Sequence, residues 1–407
     1  MPCSPMRARL LLKAGKARVW RKTPFTIKLT YVPKNRYMQD ITLGVDTGSS
    51  EIGSAAVTDE GKVLYMSQVT VRNDITKKMD RRRAYRRARR YRKCRYRAPR
   101  WLNRKNSQRE NRLSPTMISK LHTHLKEIQF VKSILPVTKV ILETGNFDMH
   151  KLKDPTITDN KWRYQQGDLY GYENVKCYVR ARDKHTCQYC KGTSKDIRLE
   201  VHHITYRRNN GSDNPDNLIT LCKSCHDSVH KGEISLKKKG NTKELKHATQ
   251  MNSIRKQLLN RVEAQETYGY ITKIDRERLG LPKTHYYDAL AIALEGALLW
   301  DFIDTPCLYK VSVSKGDYQR TKGIRSEQLL AMGKICGFRK FDKVRYRGKE
   351  YFIKGRMSTG YGFLMDIHQE KQEFANPKTP KLSQMKRVGA RKTWIMSIVK
   401  PCDSSPT

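Results

Sequence analysis

The chain has 407 residues and a formal net charge of +44, from 83 lysines and arginines against 39 aspartates and glutamates. This excess favours a polyanionic partner such as nucleic acid and argues against a generic solvated surface. No apolar run approaches the roughly 18 residues of a membrane span, and no signal peptide opens the sequence, which argues against a membrane protein. Ten cysteines, four of them in two Cys-x-x-Cys pairs, predict a reducing cytoplasm rather than a disulfide framework.

Residues 1–38 predict a small basic module. Ser4 caps a short helix that Gly15 ends, since serine favours the N-cap and glycine the residue after a helix. Two alternating stretches, Ala17–Trp20 and Phe25–Val32, predict strands.

Residues 39–75 predict the first part of a sheet. The apolar strand Ile41–Asp46 ends in a carboxylate, and the strands Ile52–Val57 and Val63–Val71 follow around a tight turn. A carboxylate at the end of a buried strand is a candidate metal ligand.

Residues 76–112 are strongly basic, because 18 residues between positions 77 and 112 are lysine or arginine. Lys77–Ala98 contains neither glycine nor proline, so it can form one helix of roughly 33 Å. Its arginines point in every direction, which suits a helix enclosed by phosphates; the alternative is a solvated helix or a disordered arm. The candidate nucleic-acid-binding residues are Arg81, Arg82, Arg83, Arg86, Arg87, Arg89, Arg90 and Arg92.

Residues 113–177 predict a second segment and a polar connector. An amphipathic helix begins at Ser114 and is stopped by Pro136. The strand Val137–Leu142 follows and leads into Glu143, a second carboxylate at a strand end.

Residues 178–235 contain the most specific pattern in the chain. Two Cys-x-x-Cys pairs, separated by about thirty residues, have the spacing of a tetrahedral zinc site. The predicted zinc ligands are Cys187, Cys190, Cys222 and Cys225.

The same region has histidines that the zinc site does not use. His202 and His203 lie on a predicted strand, Asn217 follows a polar loop, and His226 and His230 are four residues apart on one helical face. This arrangement resembles the HNH nuclease motif, a ββα-metal hairpin.

The HNH resemblance implies that His203 is the general base and that Asn217 holds the loop that orients it. It also implies that His202 binds the catalytic metal, and His226 and His230 are placed to share that ion. The alternative is a zinc ribbon that only binds nucleic acid.

Residues 236–304 predict a linker and a third segment. We expect a helix over Arg255–Gln265 and a strand over Thr267–Asp275. His285 and Asp288 are three residues apart, so they share one face of a helix that reaches to about Trp300.

Residues 305–407 predict a small antiparallel β-barrel. From Gly337 onward, apolar and polar residues alternate, and glycines at positions such as 348 and 360 mark turns.

The order of these segments resembles that of IscB-type nucleases, the transposon-encoded OMEGA class that is ancestral to type II CRISPR effector nucleases. The resemblance implies an α/β multidomain protein with a split RNase H-like (RuvC-like) core, an inserted zinc-containing HNH domain, an arginine-rich bridge helix and a C-terminal barrel. Residues 1–38 are then a shortened form of the N-terminal IscB module.

The IscB resemblance also implies the chemistry. Asp46, Glu143 and Asp288 would bind two Mg²⁺ ions, and His285 would assist proton transfer. The HNH site, also with Mg²⁺, would cut the DNA strand paired with a guide RNA, and the RuvC-like site would cut the displaced strand. The expected partners are a structured guide RNA and double-stranded target DNA, bound by a monomer whose C-terminal barrel contacts the guide and a short target-adjacent motif.

Two other functions stay open. A protein-only, structure- or site-specific DNA nuclease would share both active sites but would cut without RNA. A non-catalytic RNA-binding, transposon-accessory protein would need neither the carboxylates nor His203.

Overall fold

A computed structural model describes residues 3–33, 38–92, 113–145, 148–153, 155–159, 164, 167, 169–206, 211, 213–236, 246–297, 305–314 and 333–399. Its helices are α1 (Pro5–Lys13), α2 (Ile75–Arg92), α3 (Pro115–Lys132), α4 (Met149–Lys153), α5 (Val175–Arg182), α6 (Lys223–Lys231), α7 (Lys246–Leu259), α8 (Gly269–Arg278) and α9 (His285–Leu294). Among the described helices, none has both the length and the apolar character needed to cross a bilayer.

The strands of the described residues lie in four sheets. They are β1 (Ala17–Lys22), β2 (Phe25–Leu29), β3 (Ile41–Thr47), β4 (Glu51–Thr58), β5 (Val63–Thr70), β6 (Lys139–Glu143), β7 (Leu199–His203), β8 (Leu218–Cys222), β9 (Gln265–Thr267), β10 (Cys307–Ser312), β11 (Lys343–Tyr346), β12 (Lys349–Arg356), β13 (Gly362–Met365), β14 (Lys386–Gly389) and β15 (Trp394–Val399).

The chain forms two compact units, residues 1–146 with 250–407, and residues 147–249. The centre of the first unit is a seven-stranded sheet in the order β15-β10-β5-β4-β3-β6-β9. Strands β3, β4 and β5 form an antiparallel meander, while β6 runs parallel to β3 and β9 parallel to β6. The carboxyl ends of β3, β6 and β9 therefore meet at one edge, which is where the carboxylates of Asp46 and Glu143 lie.

Helices cover both faces of this sheet. One apolar cluster joins β3 and β4 to α3 and α7 through residues such as Leu121 and Ile254. A second cluster joins β4 and β5 to α9 through residues such as Tyr286 and Leu290. The result is a mixed α/β unit, as the sequence predicts, with apolar clusters on both faces of the sheet.

Helix α9 approaches the sheet at two glycines. A Cβ atom at Gly44 would lie 2.3 Å from the carbonyl oxygen of Ala289, and one at Gly53 would lie 1.7 Å from that of His285. Backbone can come this close to backbone only where no side chain intervenes. These two positions therefore fix the helix against the strands.

A buried ion pair joins the two segments of the first unit, which precede and follow the second unit in the sequence. Lys310 on β10 places Nζ 2.6 and 2.8 Å from the two carboxylate oxygens of Glu127 on α3, and neither side chain is exposed. Ser54 and Ser67 donate further hydrogen bonds to the same carboxylate. Because a buried charge that loses its partner is costly, the pair holds β10 in register with the meander.

Several elements differ from the sequence prediction. Thr267–Asp275 is not a strand: the strand is only Gln265–Thr267, and α8 follows it. Thr272 and Arg276 are buried whereas Ile274 between them is exposed; an alternating strand would bury position 274 as well, so the pattern is helical. The helix predicted over Arg255–Gln265 begins earlier, at Lys246, and ends at Leu259.

Other differences concern the ends of elements. Helix α9 ends at Leu294, where Glu295 takes a φ of 46°, rather than near Trp300, which lies outside the described residues. The basic helix predicted over Lys77–Ala98 corresponds to α2, and residues 93–98 lie outside the described residues.

The C-terminal segment contributes to two sheets. Strands β11 to β14 form an antiparallel sheet in the order β13-β12-β11-β14, around a core that includes Val344, Ile353 and Leu364. Strands β10 and β15, which lie in the same predicted domain, belong instead to the central sheet. The barrel stays a prediction.

The contact of α9 with the sheet predicts that one added methyl group at Gly53 lowers the free energy of unfolding. Gly53→Ala should destabilise the protein by roughly 1–3 kcal/mol or more, because the new Cβ overlaps the His285 carbonyl. Urea denaturation of this variant should be compared with Gly333→Ala, whose Cβ would have no atom within 4 Å. Equal midpoints for the two variants would contradict this packing.

Burial of His124 on α3 predicts a pH effect. Desolvation lowers the pKa of this imidazole from 6.5 to about 4, so between those values the unfolded chain binds a proton that the folded chain does not. Stability should therefore fall as pH drops from about 6.5 to 4, by about 3 kcal/mol from this group. The variant His124→Leu should show a shallower loss in urea denaturation across that range; an unchanged slope would contradict the assignment.

Candidate functional sites

The first candidate site lies where β3, β6 and α9 meet in the first unit. Asp46 is at the end of β3, Glu143 at the end of β6, and Asp288 in the first turn of α9, which Thr284 caps through the amide of Tyr287. The three predicted carboxylates are thus brought to one edge of the sheet.

The carboxylates influence one another. Burial and the Asp46 carboxylate raise the pKa of Glu143 to about 6, and the same two causes raise the pKa of Asp288. Mutual repulsion and desolvation of this kind are typical of clustered carboxylates that bind a cation.

Cationic side chains contact all three acids. His285 Nδ1 lies 2.6 Å from Asp46 Oδ2, and this contact raises the pKa of the imidazole. Arg276 Nε lies 2.8 Å from Asp288 Oδ1, and Arg255 Nη2 lies 3.8 Å from Glu143 Oε1. His285 therefore lies beside Asp46, and its role stays a prediction.

Arg255 also stabilises the site through hydrogen bonds to the strand ends. Its Nε donates to Thr47 Oγ1 at 2.9 Å and its Nη2 to the Thr47 carbonyl at 3.1 Å, while Nη1 donates to the carbonyl of Gly145. One guanidinium thus ties the ends of β3 and β6 together. Nothing in the sequence singles out Arg255 or Arg276 among so many basic residues.

The second candidate site lies in the second unit, on β7 and α6. His202, His226 and His230 have ring nitrogens within 4.8 Å of one another. Helix α6 places its two histidines one turn apart, and His202 projects from β7 toward them. Burial and the neighbouring imidazoles lower the pKa of His202 to about 4, which keeps it neutral and able to bind a metal.

The donor types of the two sites differ. Three imidazoles suit ions such as Zn²⁺, Fe²⁺ or Ni²⁺, whereas oxygen donors suit Mg²⁺. The carboxylate site fits the predicted Mg²⁺ in its chemistry. Within the described chain, however, only the His202 group and a four-cysteine group bring three or more ligand atoms within 4.8 Å of one another.

His203 and Asn217 occupy the positions expected from the HNH resemblance. His203 Nε2 lies 2.8 Å from Asp213 Oδ1, which leaves Nδ1 as the ring nitrogen that can accept a proton. The Asn217 side chain accepts from the amide of Thr205 and donates to its carbonyl, at 2.9 and 3.0 Å. Asn217 thus fixes the chain just after His203. Asp213, which the sequence analysis did not single out, orients the imidazole.

The four predicted zinc ligands lie together. Cys187, Cys190, Cys222 and Cys225 have their sulfur atoms within 4.8 Å of one another, and three of them are buried. A small apolar cluster including Leu221 and Val229 surrounds them. A tetrahedral thiolate site fits this geometry, and it joins β8 and α6 to the turn before β7.

The basic helix α2 carries five described arginines, all of them exposed: Arg81, Arg82, Arg83, Arg86 and Arg87. Arg89, Arg90 and Arg92 belong to the same helix, but their side chains lie outside the described part.

The cysteine cluster predicts a structural zinc ion. Cys190→Ser should reduce the bound zinc from one equivalent toward zero and unfold the second unit, because the metal replaces a larger core. Zinc content by mass spectrometry and far-UV circular dichroism check both effects. The control Cys3→Ser changes an exposed cysteine and should retain zinc. Full zinc content in Cys190→Ser would contradict the site.

Comparisons with known proteins match two parts of the chain. Residues 1–167 match the family described as RRXRR protein, and residues 187–232 match the family described as HNH endonuclease. The second match includes all four cysteines and the histidines of the second site.

Individual relatives match shorter parts. A probable HNH endonuclease of Lactococcus phage SK1 is 47% identical over 58 residues, which are 13% of this chain and 61% of the phage protein. An anaredoxin of Nostoc sp. strain PCC 7120 is 28% identical over 67 residues, 16% of this chain and 86% of that protein.

A solved structure, Streptococcus thermophilus Cas9 in complex with the AGAA PAM, is similar with a TM-score of 0.34 and 13% identity, over 59% of this chain and 32% of Cas9. The chain thus spans about three fifths of the phage protein and one third of Cas9. It carries an RRXRR domain at its N-terminus followed by an HNH endonuclease domain, in agreement with the resemblance to an IscB-type HNH nuclease.

Proposed function

We propose that this protein is an RNA-guided DNA endonuclease with two active sites. The observation that carries the proposal is the second site: three clustered histidines beside an oriented imidazole, His203, within a segment that matches the HNH endonuclease family. A site of this kind hydrolyses phosphodiester bonds.

In the HNH site, His203 acts as general base. Asp213 holds Nε2, so Nδ1 accepts the proton of the attacking water, and Asn217 keeps the backbone beside it in place. A divalent ion on His202, His226 and His230 would supply positive charge for the scissile phosphate. Glu200 Oε2, 3.1 Å from His226 Nδ1, would orient that ligand.

The second active site is the RuvC-like one, with Asp46, Glu143 and Asp288 as Mg²⁺ ligands. Support comes from their convergence at one sheet edge and from the raised pKa of Glu143 and Asp288. Ligation through Oδ1 would require Asp288 to exchange its contact with Arg276 for the metal. The bound Mg²⁺ ions would polarise the phosphate, while His285 would take up or release a proton beside Asp46.

The net charge of +44 and the exposed arginines of α2 support a nucleic-acid partner, which we propose to be a guide RNA. By resemblance, the HNH site cuts the guide-paired strand and the RuvC-like site the displaced strand. A protein-only nuclease is the second candidate, and it differs in cutting without RNA.

Two single substitutions test the two-site proposal. Asp46→Asn should abolish cutting of one strand, and His203→Ala should slow cutting of the other by roughly 10²–10⁴-fold, as expected for loss of a general base. Strand-specific end labels on a target plasmid report each cut separately.

The matched controls Asp59→Asn and His185→Asn change exposed residues in the same two units and should cut both strands. If either active-site variant lost both cuts while remaining folded, the assignment of one strand to each site would be wrong.

A further inference from the structure

An exposed pair of tyrosines lies at the beginning of helix α8. The rings of Tyr268 and Tyr270 are nearly parallel, with an interplanar angle of 10° and centroids 6.1 Å apart. Their exposed fractions are 48% and 66%. Two adjacent aromatic rings with this much exposed surface are a candidate contact surface.

The pair is next to the carboxylate site. Gly269 separates the two tyrosines, and a Cβ atom there would lie 3.1 Å from Glu143 Oε1. Thr267 pairs with Glu143 in the sheet, and the Thr144 amide donates to the Thr267 carbonyl at 3.0 Å. The tyrosines therefore stand within a few residues of a proposed metal ligand.

The backbone that presents the rings is held firmly. The Tyr268 carbonyl accepts from the amides of Ile271 and Thr272, at 2.9 and 3.2 Å, as the first turn of α8 forms. Thr272 is buried, and its hydroxyl contributes to the hydrogen bonding of Glu143. The same turn thus positions both the carboxylate and the aromatic pair.

We propose that Tyr268 and Tyr270 form a stacking platform for the bases of a single-stranded nucleic acid whose phosphodiester lies at Asp46, Glu143 and Asp288. Every nucleobase has a flat face that stacks on an aromatic ring regardless of sequence. The charge of the chain favours this occupant over an apolar protein surface. The inference rests on the proposed function, because it takes the carboxylates as the cutting site.

The test measures binding without cutting. In the background Asp46→Asn with His203→Ala, the full chain is titrated with a short single-stranded DNA that carries 2-aminopurine, whose fluorescence falls on stacking. The double substitution Tyr268→Ala with Tyr270→Ala should weaken binding by about tenfold and remove the quenching. Tyr268→Phe with Tyr270→Phe keeps the rings and should retain both.

Three controls define the result. Tyr31→Ala changes a tyrosine that is equally exposed, 48%, in another part of the first unit and should bind normally. Duplex DNA should bind the alanine variant as it binds the parent, since its bases are already stacked. Single-stranded RNA of the same sequence shows whether the platform accepts either sugar.

Unchanged affinity and quenching in the alanine variant would overturn the platform. So would a change of oligomeric state at unchanged DNA affinity, which would make this face a protein contact. Failure of RNA-guided cleavage in the parent protein would not affect the binding result, so the two hypotheses fail separately. Asp46-dependent cleavage together with unchanged DNA binding in the alanine variant would leave the function standing and remove the platform alone.

Discussion

The approach of helix α9 to the sheet is the constraint on which the first candidate site depends. Its backbone touches β3 and β4 at Gly44 and Gly53, where no side chain could be accommodated. This contact places His285 and Asp288 beside Asp46, although about 240 positions separate them in the chain. The segments on either side of the second unit must therefore associate before the site exists, and the Glu127–Lys310 pair adds a second link between them.

Charge balance explains how the carboxylates coexist. Burial and mutual repulsion raise the pKa of Glu143 and Asp288, while Arg255, Arg276 and His285 offset part of the negative charge. The raised pKa values show that the remaining negative charge still favours a cation. Repulsion between ligands is smaller in the HNH site, because imidazole ligands carry less negative charge than carboxylates do.

The sequence was informative where chemistry imposes fixed local spacing. The two Cys-x-x-Cys pairs and the i, i+4 histidines of α6 predicted clusters that the structure contains, since ligands of one ion must lie close in space. The strands before Asp46 and Glu143 were recognisable for a different local reason, because buried strands need runs of apolar residues.

Contacts that follow no fixed local spacing were not recognisable from the sequence. Arg255 contacts Thr47 and Gly145, more than 100 positions away, and a chain with 83 basic residues gives no reason to choose it or Arg276. Asp213 lies only ten positions from His203 and Arg276 only twelve from Asp288, but no fixed spacing rule links either pair. Helix α8 was mistaken for a strand because its short apolar stretch fits both periods. Likewise, β10 and β15 joined the central sheet through pairings with β5 and with each other that no local pattern encodes.

The central claim is that RNA directs the cut, and reprogramming tests it most directly. The protein should be purified with the structured RNA that accompanies it, and the variable end of that RNA should then be replaced. If the account holds, cleavage of a plasmid carrying both sequences moves from the original site to the new one. Cutting that stays at the original site, or that survives complete removal of RNA, would contradict it and favour a protein-only nuclease.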